Sequence, residues 1–146
     1  MNLIEIYTDG SSDLPRGVCS WGIVVKNGNY QNSGALKGTN NVGELTAIQE
    51  AIKYCLRENY KGKVIHICAD SQYAINSTDV WCHKWRANGW SKPGGIKNLE
   101  IIKENVRALE ELRAAGNIVE FKWIKGHAED EWNCLCDRIC SIKNFY

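Results

Sequence analysis

The chain has 146 residues, of which 44% are hydrophobic and 24% are charged, and its formal net charge is +1. This length suits one domain that buries about two-thirds of its unfolded surface, so we expect residues 1–146 to form a single domain. No run of about 18 apolar residues occurs, which excludes a membrane-spanning helix. A strand begins almost at the N-terminus and leaves no room for a signal peptide, so we expect a cytoplasmic protein with no membrane partner.

The seven cysteines form an odd set, and most of them lie within apolar patterns, where a thiol behaves as a small hydrophobic group. We therefore expect reduced thiols. A zinc site stays possible at Cys82 with His83, or at Cys134, Cys136 and Cys140, although no Cys-x-x-Cys pair occurs.

Three strands are predicted at the start of the chain. The first is an apolar run that leads into Asp9 and Gly10, and the next two cover residues 18–25 and 29–36. The Asn-Gly pair at residues 27 and 28 is typical of a β-hairpin, so the three strands should form an antiparallel meander. Asp9 would then stand at the carboxyl end of a buried strand, although a strand followed by Asp-Gly is also a common turn.

A helix and a fourth strand follow. Apolar residues with 3-4-3 spacing predict a helix from about residue 41 to residue 60, and Glu44 lies in its first turn. Residues 64–69 are nearly all apolar, which is typical of a central strand, and this run ends at Asp70. A second acid therefore follows a predicted buried strand.

The remaining segments add helices and a fifth strand. A short helical stretch covers residues 72–76, and a tryptophan-rich basic segment then leads to a Pro-Gly-Gly break. An apolar stripe predicts a helix over residues 99–112, alternation predicts a strand over residues 118–124, and a last helix runs from about residue 129 to residue 142. The order β-β-β-α-β-α-α-β-α predicts an α/β fold with helices on both faces of a five-stranded mixed sheet, in which two parallel strands join the meander.

Four carboxylates stand out by their placement, because Asp9 and Asp70 follow strands, Glu44 opens a helix and Asp137 lies in the last helix. If the first and fourth strands are parallel neighbours, Asp9 and Asp70 meet at one edge of the sheet. Clustered carboxylates repel one another unless cations neutralise them, so this set predicts hard divalent cations. Two Mg²⁺ ions about 3.5 to 4 Å apart could hold the attacking and leaving oxygens of a phosphoryl displacement.

With these segments in place, the sequence resembles the type 1, bacterial-like ribonuclease H family. The matching segments are residues 7–11, residues 39–45, residues 69–73, Trp81 with Trp85 and Trp90, and residues 123–128 followed by Asp137. They cover nearly the whole chain in the family's order. The resemblance implies a ribonuclease H-like fold and Mg²⁺-dependent cleavage of the RNA strand of an RNA·DNA hybrid, leaving 3′-hydroxyl and 5′-phosphate ends. Mn²⁺ is expected to substitute for Mg²⁺.

The resemblance also implies roles for single residues. Asp9 should contact both metal ions, while Glu44, Asp70 and Asp137 complete their coordination. His127, in the loop after the last strand, would assist proton transfer or product release, although an ordinary surface histidine is the alternative.

Neutral polar residues near the acids suit contacts with ribose 2′-hydroxyl groups and base edges. The candidate substrate-binding residues of this region are Asn40, Asn41 and Gln72, together with Thr39 and the backbone amide of Ser11 for phosphates, and Gly10, which allows a close approach. Polar residues at turns are also common turn formers, which is the alternative for each of them.

Trp81 and Trp85 lie one helical turn apart, with Lys84 and Arg86 beside them. Such a pair could offer a flat platform for the deoxyribose of a DNA strand next to cations for its phosphates. The alternative is that these tryptophans fill a hydrophobic seam under the helix.

Two segments depart from the family pattern. The usual glycine-rich loop between Ser12 and Trp21 is shortened, which puts one RNA contact in doubt. Val42 and Gly43 stand where the family has a basic or polar residue and a bulky apolar one, so a phosphate contact should be weaker.

Two other functions stay open beside hybrid cleavage. One is a nucleic-acid-binding module that does not cleave, although the presence of all four acids argues against it. The other is a DNA-directed nuclease on the same sheet. We expect a monomer whose partner is an RNA·DNA hybrid.

Overall fold

A computed structural model describes residues 2–28, 30–125 and 130–146 of the chain. Its strands are β1 (Leu3–Asp13), β2 (Val18–Val25), β3 (Gln31–Lys37), β4 (Val64–Ala69) and β5 (Ile118–Trp123). They form one sheet in the order β3-β2-β1-β4-β5. The three N-terminal strands pair antiparallel, whereas β4 runs parallel to both β1 and β5. The predicted mixed sheet of a meander plus two parallel strands is confirmed, and β1 is its central strand.

Five α-helices lie in the described ranges: α1 (Asn40–Arg57), α2 (Gln72–Asp79), α3 (Trp81–Ala87), α4 (Leu99–Ala114) and α5 (Glu131–Cys140). The predicted order has two helices between β4 and β5, and the structure has three. The tryptophan-rich basic segment itself forms α3, whose seven residues are too few to show an apolar helical period.

The two faces of the sheet bury different alternating residues of the same strands. Ile6 and Ile67 belong to the larger core, which α1 covers directly, with α4 packed beside that helix. Tyr7 and Cys68 point to the opposite face, where they pack with Cys136 of α5. The predicted helices on both faces are therefore confirmed, because the period of two along each strand sends neighbouring side chains to opposite sides.

The first strand continues past the point where the sequence predicts its end. β1 pairs with β4 only as far as Tyr7 opposite Cys68, but it stays paired with β2 up to Asp13. Asp9 therefore lies within β1, just beyond its parallel pairing with β4, and not at the end of the strand. None of the helices in the described ranges is both long and apolar enough to cross a membrane.

Candidate active site

Three carboxylates converge where β1 and β4 separate. Asp9 lies two residues beyond Tyr7 on β1, and Asp70 lies two residues beyond Cys68 on β4, so the parallel pairing sets them side by side. The first turns of α1 bring Glu44 to the same point. Asp9, Glu44 and Asp70 each offer one oxygen atom, and these atoms all lie within 4.8 Å of one another.

Two glycines allow α1 to approach the sheet this closely. A Cβ atom on Gly10 would lie 2.7 Å from the backbone nitrogen of Glu44, and one on Gly43 would lie 2.5 Å from the carbonyl oxygen of Ser20. Both distances are shorter than the contacts that Cβ atoms make in proteins. The start of α1 can therefore pack directly against the backbone of the sheet only because residues 10 and 43 are glycines. Gly10 therefore admits the helix backbone at Glu44, and Gly43 admits the backbone of β2 at Ser20.

Asp137 reaches the cluster from α5 on the opposite face. One of its oxygen atoms lies within 4.8 Å of an Asp9 oxygen and of the Cys140 sulfur. The helix is seated on β2 at Gly22, where an added Cβ atom would lie 2.7 Å from the Cβ atom of Cys140. The hydroxyl of Ser20 also donates a hydrogen bond to the carbonyl oxygen of Cys140.

The other end of α5 is tied to β1. Asp130 caps the helix by accepting hydrogen bonds from the backbone nitrogens of Trp132 and Asn133. It also accepts a hydrogen bond of 2.8 Å from the hydroxyl of Tyr7. Since Tyr7 precedes Asp9 by two residues on the same face of β1, one strand both supplies an acid and positions the helix that carries another.

The cluster is electrostatically strained without cations. Asp9 is only 5% exposed and Glu44 only 7%. Burial, followed by the negative charge of Asp70, raises the pKa of Asp9 to about 8 and the pKa of Glu44 to about 10. The backbone N–H of Gly10 donates a 2.8 Å hydrogen bond to Asp9, which offsets part of this shift. At neutral pH the cluster therefore gains from bound protons or bound cations.

The donor set fits a hard divalent cation. Asp70 Oδ1 is buried and receives no hydrogen bond within the described part of the chain, so it is an oxygen that a cation would satisfy. The neighbouring Cys140 is a poor ligand, because burial, followed by the charge of Asp9, raises the pKa of its thiol. Carboxylate oxygens without a thiolate are the ligands of Mg²⁺ and Mn²⁺.

The cysteine sets considered for zinc do not assemble in residues 2–28, 30–125 and 130–146. Cys82 is buried and its thiol donates to the carbonyl oxygen of Thr78, while His83 is exposed. Cys136 is buried on the face of α5 that packs against the sheet, whereas Cys134 of the same helix is exposed. No group of nearby metal-ligating atoms in those ranges joins these cysteines to one another or to a histidine.

The predicted substrate-binding residues are of two kinds: some are exposed at helix starts, and others make hydrogen bonds within the protein. Asn40 and Asn41 are the exposed first residues of α1, and Gln72 is the exposed first residue of α2. Thr39 caps α1, since its hydroxyl accepts a hydrogen bond from the nitrogen of Val42. The Ser11 hydroxyl accepts a hydrogen bond from the nitrogen of Ile142 at the C-terminus. Thr39 therefore has the helix-capping role that a threonine before a helix indicates, and Ser11 has a structural role that the sequence does not indicate. Their contacts with substrate stay predictions.

The two tryptophans of the predicted platform are neighbours on α3, but their ring planes are inclined to each other by 59° and do not form one flat surface. Trp81 is 41% exposed, and its ring centroid lies 5.9 Å from that of Trp85. Trp85 is half-buried against the main core, and the Lys92 Nζ atom lies 5.9 Å from its ring centroid. A groove of about 560 Å³ runs between the two tryptophans and the loop around Gly94. Trp81 is thus available to a ligand, whereas Trp85 also fills the seam under the helix.

His127 lies outside the described residues, and its predicted role stays a prediction. Sequence reasoning overlooked three contributors to the site, namely Tyr7, Gly22 and Asp130. The acid at position 130 carries a recognisable signal, since an aspartate just before a helical segment is a typical N-cap. Tyr7 and Gly22 carry no such signal, because their roles depend on which helix packs against the sheet.

Comparison with known proteins identifies the family. The family model described as RNase H matches residues 1–143. The chain belongs to the RNase H family. The predicted family and enzyme class, a hydrolase of the ribonuclease H type, are therefore confirmed.

Relatives of the RNase H family match along nearly their whole length. The Ribonuclease H of Paracidovorax citrulli (strain AAC00-1) is 33% identical over 147 residues, which cover 97% of this chain and 93% of that protein. The Ribonuclease HI of Neisseria meningitidis serogroup B is 34% identical over 143 residues, which cover 94% of this chain and 92% of that protein.

A solved structure supports the same fold. The crystal structure of LC9-RNase H1, a type 1 RNase H with the type 2 active-site motif, superposes with a TM-score of 0.76 at 25% identity. The superposition covers 95% of this chain and 70% of that one. The predicted ribonuclease H-like fold is thus confirmed.

Proposed function

We propose that this RNase H family member is an endonuclease that hydrolyses the RNA strand of RNA·DNA hybrids at the cluster of Asp9, Glu44, Asp70 and Asp137. The observation that carries the proposal is the convergence of three of these carboxylates within 4.8 Å at the separation of two parallel strands. Their burial makes the ionised cluster unfavourable alone, which is the expected state of a site built for divalent cations.

The residues would hold two divalent cations, Mg²⁺ or Mn²⁺, with Asp9 central because it neighbours Glu44 and Asp70 on one side and Asp137 on the other. When bound, such cations polarise the phosphate and stabilise the charge that develops on the attacking and leaving oxygens. The Gly10 N–H orients the Asp9 carboxylate through its hydrogen bond. The Tyr7 hydroxyl, through Asp130, holds the helix that carries Asp137.

The proposed reaction is attack of water on a phosphorus atom of the RNA strand. The bond between water oxygen and phosphorus forms while the bond from phosphorus to the 3′ oxygen breaks. The attacking water gives up one proton to solvent, and the 3′ oxygen takes up one proton, which His127 is proposed to supply directly or through water and then to regain from solvent. The products are a 3′-hydroxyl and a 5′-phosphate end.

Recognition of the hybrid is proposed to combine two surfaces. Asn40, Asn41 and Gln72 are exposed next to the acids and suit ribose hydroxyls of the RNA strand. The exposed ring of Trp81, beside Lys92, suits a sugar and phosphate of the DNA strand. The chain is proposed to act as one domain and as a monomer.

A cleavage assay tests this function. End-labelled RNA in an RNA·DNA hybrid should be cut with Mg²⁺ and left intact with EDTA, and the fragments should carry a phosphate that phosphatase removes from the 5′ end. Asp70→Asn should slow cleavage by about a hundredfold or more, because a lost metal ligand removes several kcal/mol of transition-state stabilisation. Asp79→Asn is the matched control, since Asp79 pairs with Arg113 outside the cluster.

Two results would reject the proposal. Hybrid binding without cleavage in either Mg²⁺ or Mn²⁺ would make the chain a binding module. Cleavage of duplex DNA at least as fast as of hybrid would make it a DNA-directed nuclease.

A further inference from the structure

A small cavity beside the carboxylate cluster contains a polar side chain to which the proposed mechanism assigns no role. The cavity is lined by Asp9, Asp70, Asn133, Cys134 and Asp137 and has a volume of about 40 Å³. Asn133 is only 5% exposed, and its Oδ1 atom is buried without a hydrogen bond from any residue that the structure describes.

An unpartnered amide oxygen at this depth points to a ligand. Leaving a buried acceptor unsatisfied costs about 1–3 kcal/mol, so native proteins supply nearly all such atoms with a partner. Asn133 and Asp137 are four residues apart on α5 and therefore share one face of the helix. The backbone of Asn133 is held in place because its N–H donates to the Asp130 cap.

The size and the charge of the cavity select the kind of ligand. A volume of about 40 Å³ accommodates a cation or a water molecule, whose share of liquid volume is about 30 Å³, but not a ribose or a base. Three of the five lining residues are acids, and an amide oxygen is a common ligand of hard cations. A cation can bind the amide oxygen and all three carboxylates together, whereas a water molecule has only two protons to donate to these four acceptors.

We propose that Asn133 Oδ1 is a further oxygen ligand for the divalent cation held by Asp9 and Asp137. This inference rests on the proposed function, because it assigns one more ligand to the same metal site. A neutral ligand completes the coordination without adding a negative charge to a cluster whose acids already repel one another. Asn133 thereby limits the electrostatic cost of the metal-free state.

Binding of Mn²⁺ to the full chain, without nucleic acid, tests the proposal directly. Electron paramagnetic resonance measures free Mn²⁺ and so yields the dissociation constant independently of activity. Asn133→Ala should weaken Mn²⁺ binding by about tenfold or more. Asn133→Asp should bind Mn²⁺ at least as tightly as the wild type, because it keeps an oxygen ligand. Asn133→Leu preserves the size of the side chain and should behave as Asn133→Ala does.

Asn117 offers a matched control because it is also 5% exposed. Its side-chain amide makes three hydrogen bonds, none of them to the carboxylate cluster. It accepts from the nitrogen of Lys63 and donates to the carbonyl oxygens of Tyr60 and Leu112. Asn117→Ala should lower the melting temperature while leaving Mn²⁺ affinity unchanged. This control separates loss of a metal ligand from loss of fold stability.

Several results would overturn the proposal. Wild-type Mn²⁺ affinity in both Asn133→Ala and Asn133→Leu, with a raised KM for hybrid, would make Asn133 a substrate contact. Equal loss of affinity in Asn133→Ala and Asn133→Asp would assign the effect to the amide N–H groups. In both cases wild-type cleavage of hybrid would leave the proposed function intact, whereas a wild type that neither binds Mn²⁺ nor cleaves would reject both.

Discussion

At the scale of single residues, Asp9 and Glu44 are acids placed where a folded chain rarely tolerates them. Charged side chains are almost never fully buried without a partner, yet both lie nearly out of solvent beside Asp70. Their raised pKa values mean that the folded protein keeps protons which the unfolded chain releases. The site therefore destabilises the metal-free fold as these groups ionise, and bound cations should reverse that effect.

The first prediction concerns the pH dependence of stability in EDTA. Because the pKa of Asp9 rises from 3.8 to about 8 on folding, its contribution to stability is full below the unfolded value and is lost as pH rises through this window. Glu44 extends the loss toward its folded pKa of about 10. Each group should contribute a slope of up to about 1.4 kcal/mol per pH unit. Denaturant unfolding at about pH 5, pH 7 and pH 9 measures it.

Asp9→Asn should abolish cleavage but flatten this slope and leave the metal-free fold as stable as the wild type, or more stable, at neutral pH. Asp13→Asn, at the far end of the same strand, should keep the wild-type slope. Saturating Mg²⁺ should stabilise the wild type more than Asp9→Asn. A melting temperature of Asp9→Asn several degrees below that of the wild type in EDTA would contradict the account.

At the scale of elements, the site depends on how closely two helices approach the backbone of β1 and β2. Gly10 and Gly43 let α1 press onto one face, and Gly22 lets α5 press onto the other. Each approach carries an acid toward Asp9. The distances between the carboxylates therefore depend on these three glycines, whose lack of a side chain lets the helices pack close to the sheet. A larger residue at any of these glycines would push a helix outward together with its carboxylate.

The second prediction tests the contact between α5 and β2 at Gly22. Gly22→Ala places a Cβ atom 2.7 Å from the Cβ atom of Cys140, so the helix must shift and carry Asp137 away from Asp9. We expect a stability loss of about 1–3 kcal/mol and a clear loss of Mn²⁺ affinity and hybrid cleavage. Chemical unfolding, metal titration and the cleavage assay measure these effects.

Gly34→Ala is the matched control for the contact of α5 with Gly22. Its added Cβ atom would meet the Trp21 indole at 2.8 Å, so it also overpacks the sheet, but against a side chain that belongs to the α1 face. It should lower stability while cleavage at saturating Mg²⁺ persists. Equal loss of Mn²⁺ affinity in Gly22→Ala and Gly34→Ala would show that any strain in the sheet disrupts the site. The contact of α5 with Gly22 would then have no special role.

At the scale of the whole molecule, the sheet separates two cores, and most of the cysteine thiols are buried between the sheet and its helices. Six of the seven cysteines are buried, and Cys134 at the rim of the cavity beside the acids is exposed. The buried thiols act as small apolar groups, as the apolar sequence patterns indicate. Their accessibility therefore reports on whether both faces of the sheet stay closed.

The third prediction is a thiol count. In the native protein one thiol should react quickly with Ellman's reagent, and all seven should react after unfolding, since the buried thiols become accessible only when the fold opens. Cys134→Ser should remove the fast phase, whereas Cys55→Ser should keep it. Two or more fast thiols in the wild type would mean that α5 or α1 opens readily from the sheet.

Sequence reasoning anticipated the cluster because its main members follow local rules. Asp9 and Asp70 each come after an apolar run, and parallel pairing of two such runs brings them together. Glu44 follows from the helical period that begins near residue 41. The same reasoning placed Trp81 and Trp85 one helical turn apart but left α3 out of the element order, because seven residues are too few to show a period. It also missed the true end of β1, because pairing with β2 extends the strand beyond its apolar run.

The sequence alone determined the family, the order of strands and the identity of the four acids, because apolar periodicity and short motifs are local properties of the chain. Only the tertiary structure decided how Asp137 reaches the site and which side chains share its cavity. The hydrogen bond from Tyr7 to Asp130 joins residues 123 positions apart, and the approach of Cys140 to Gly22 depends on the packing of α5 against β2. Such contacts leave no periodic trace in a sequence, since they depend on how complete elements pack in space.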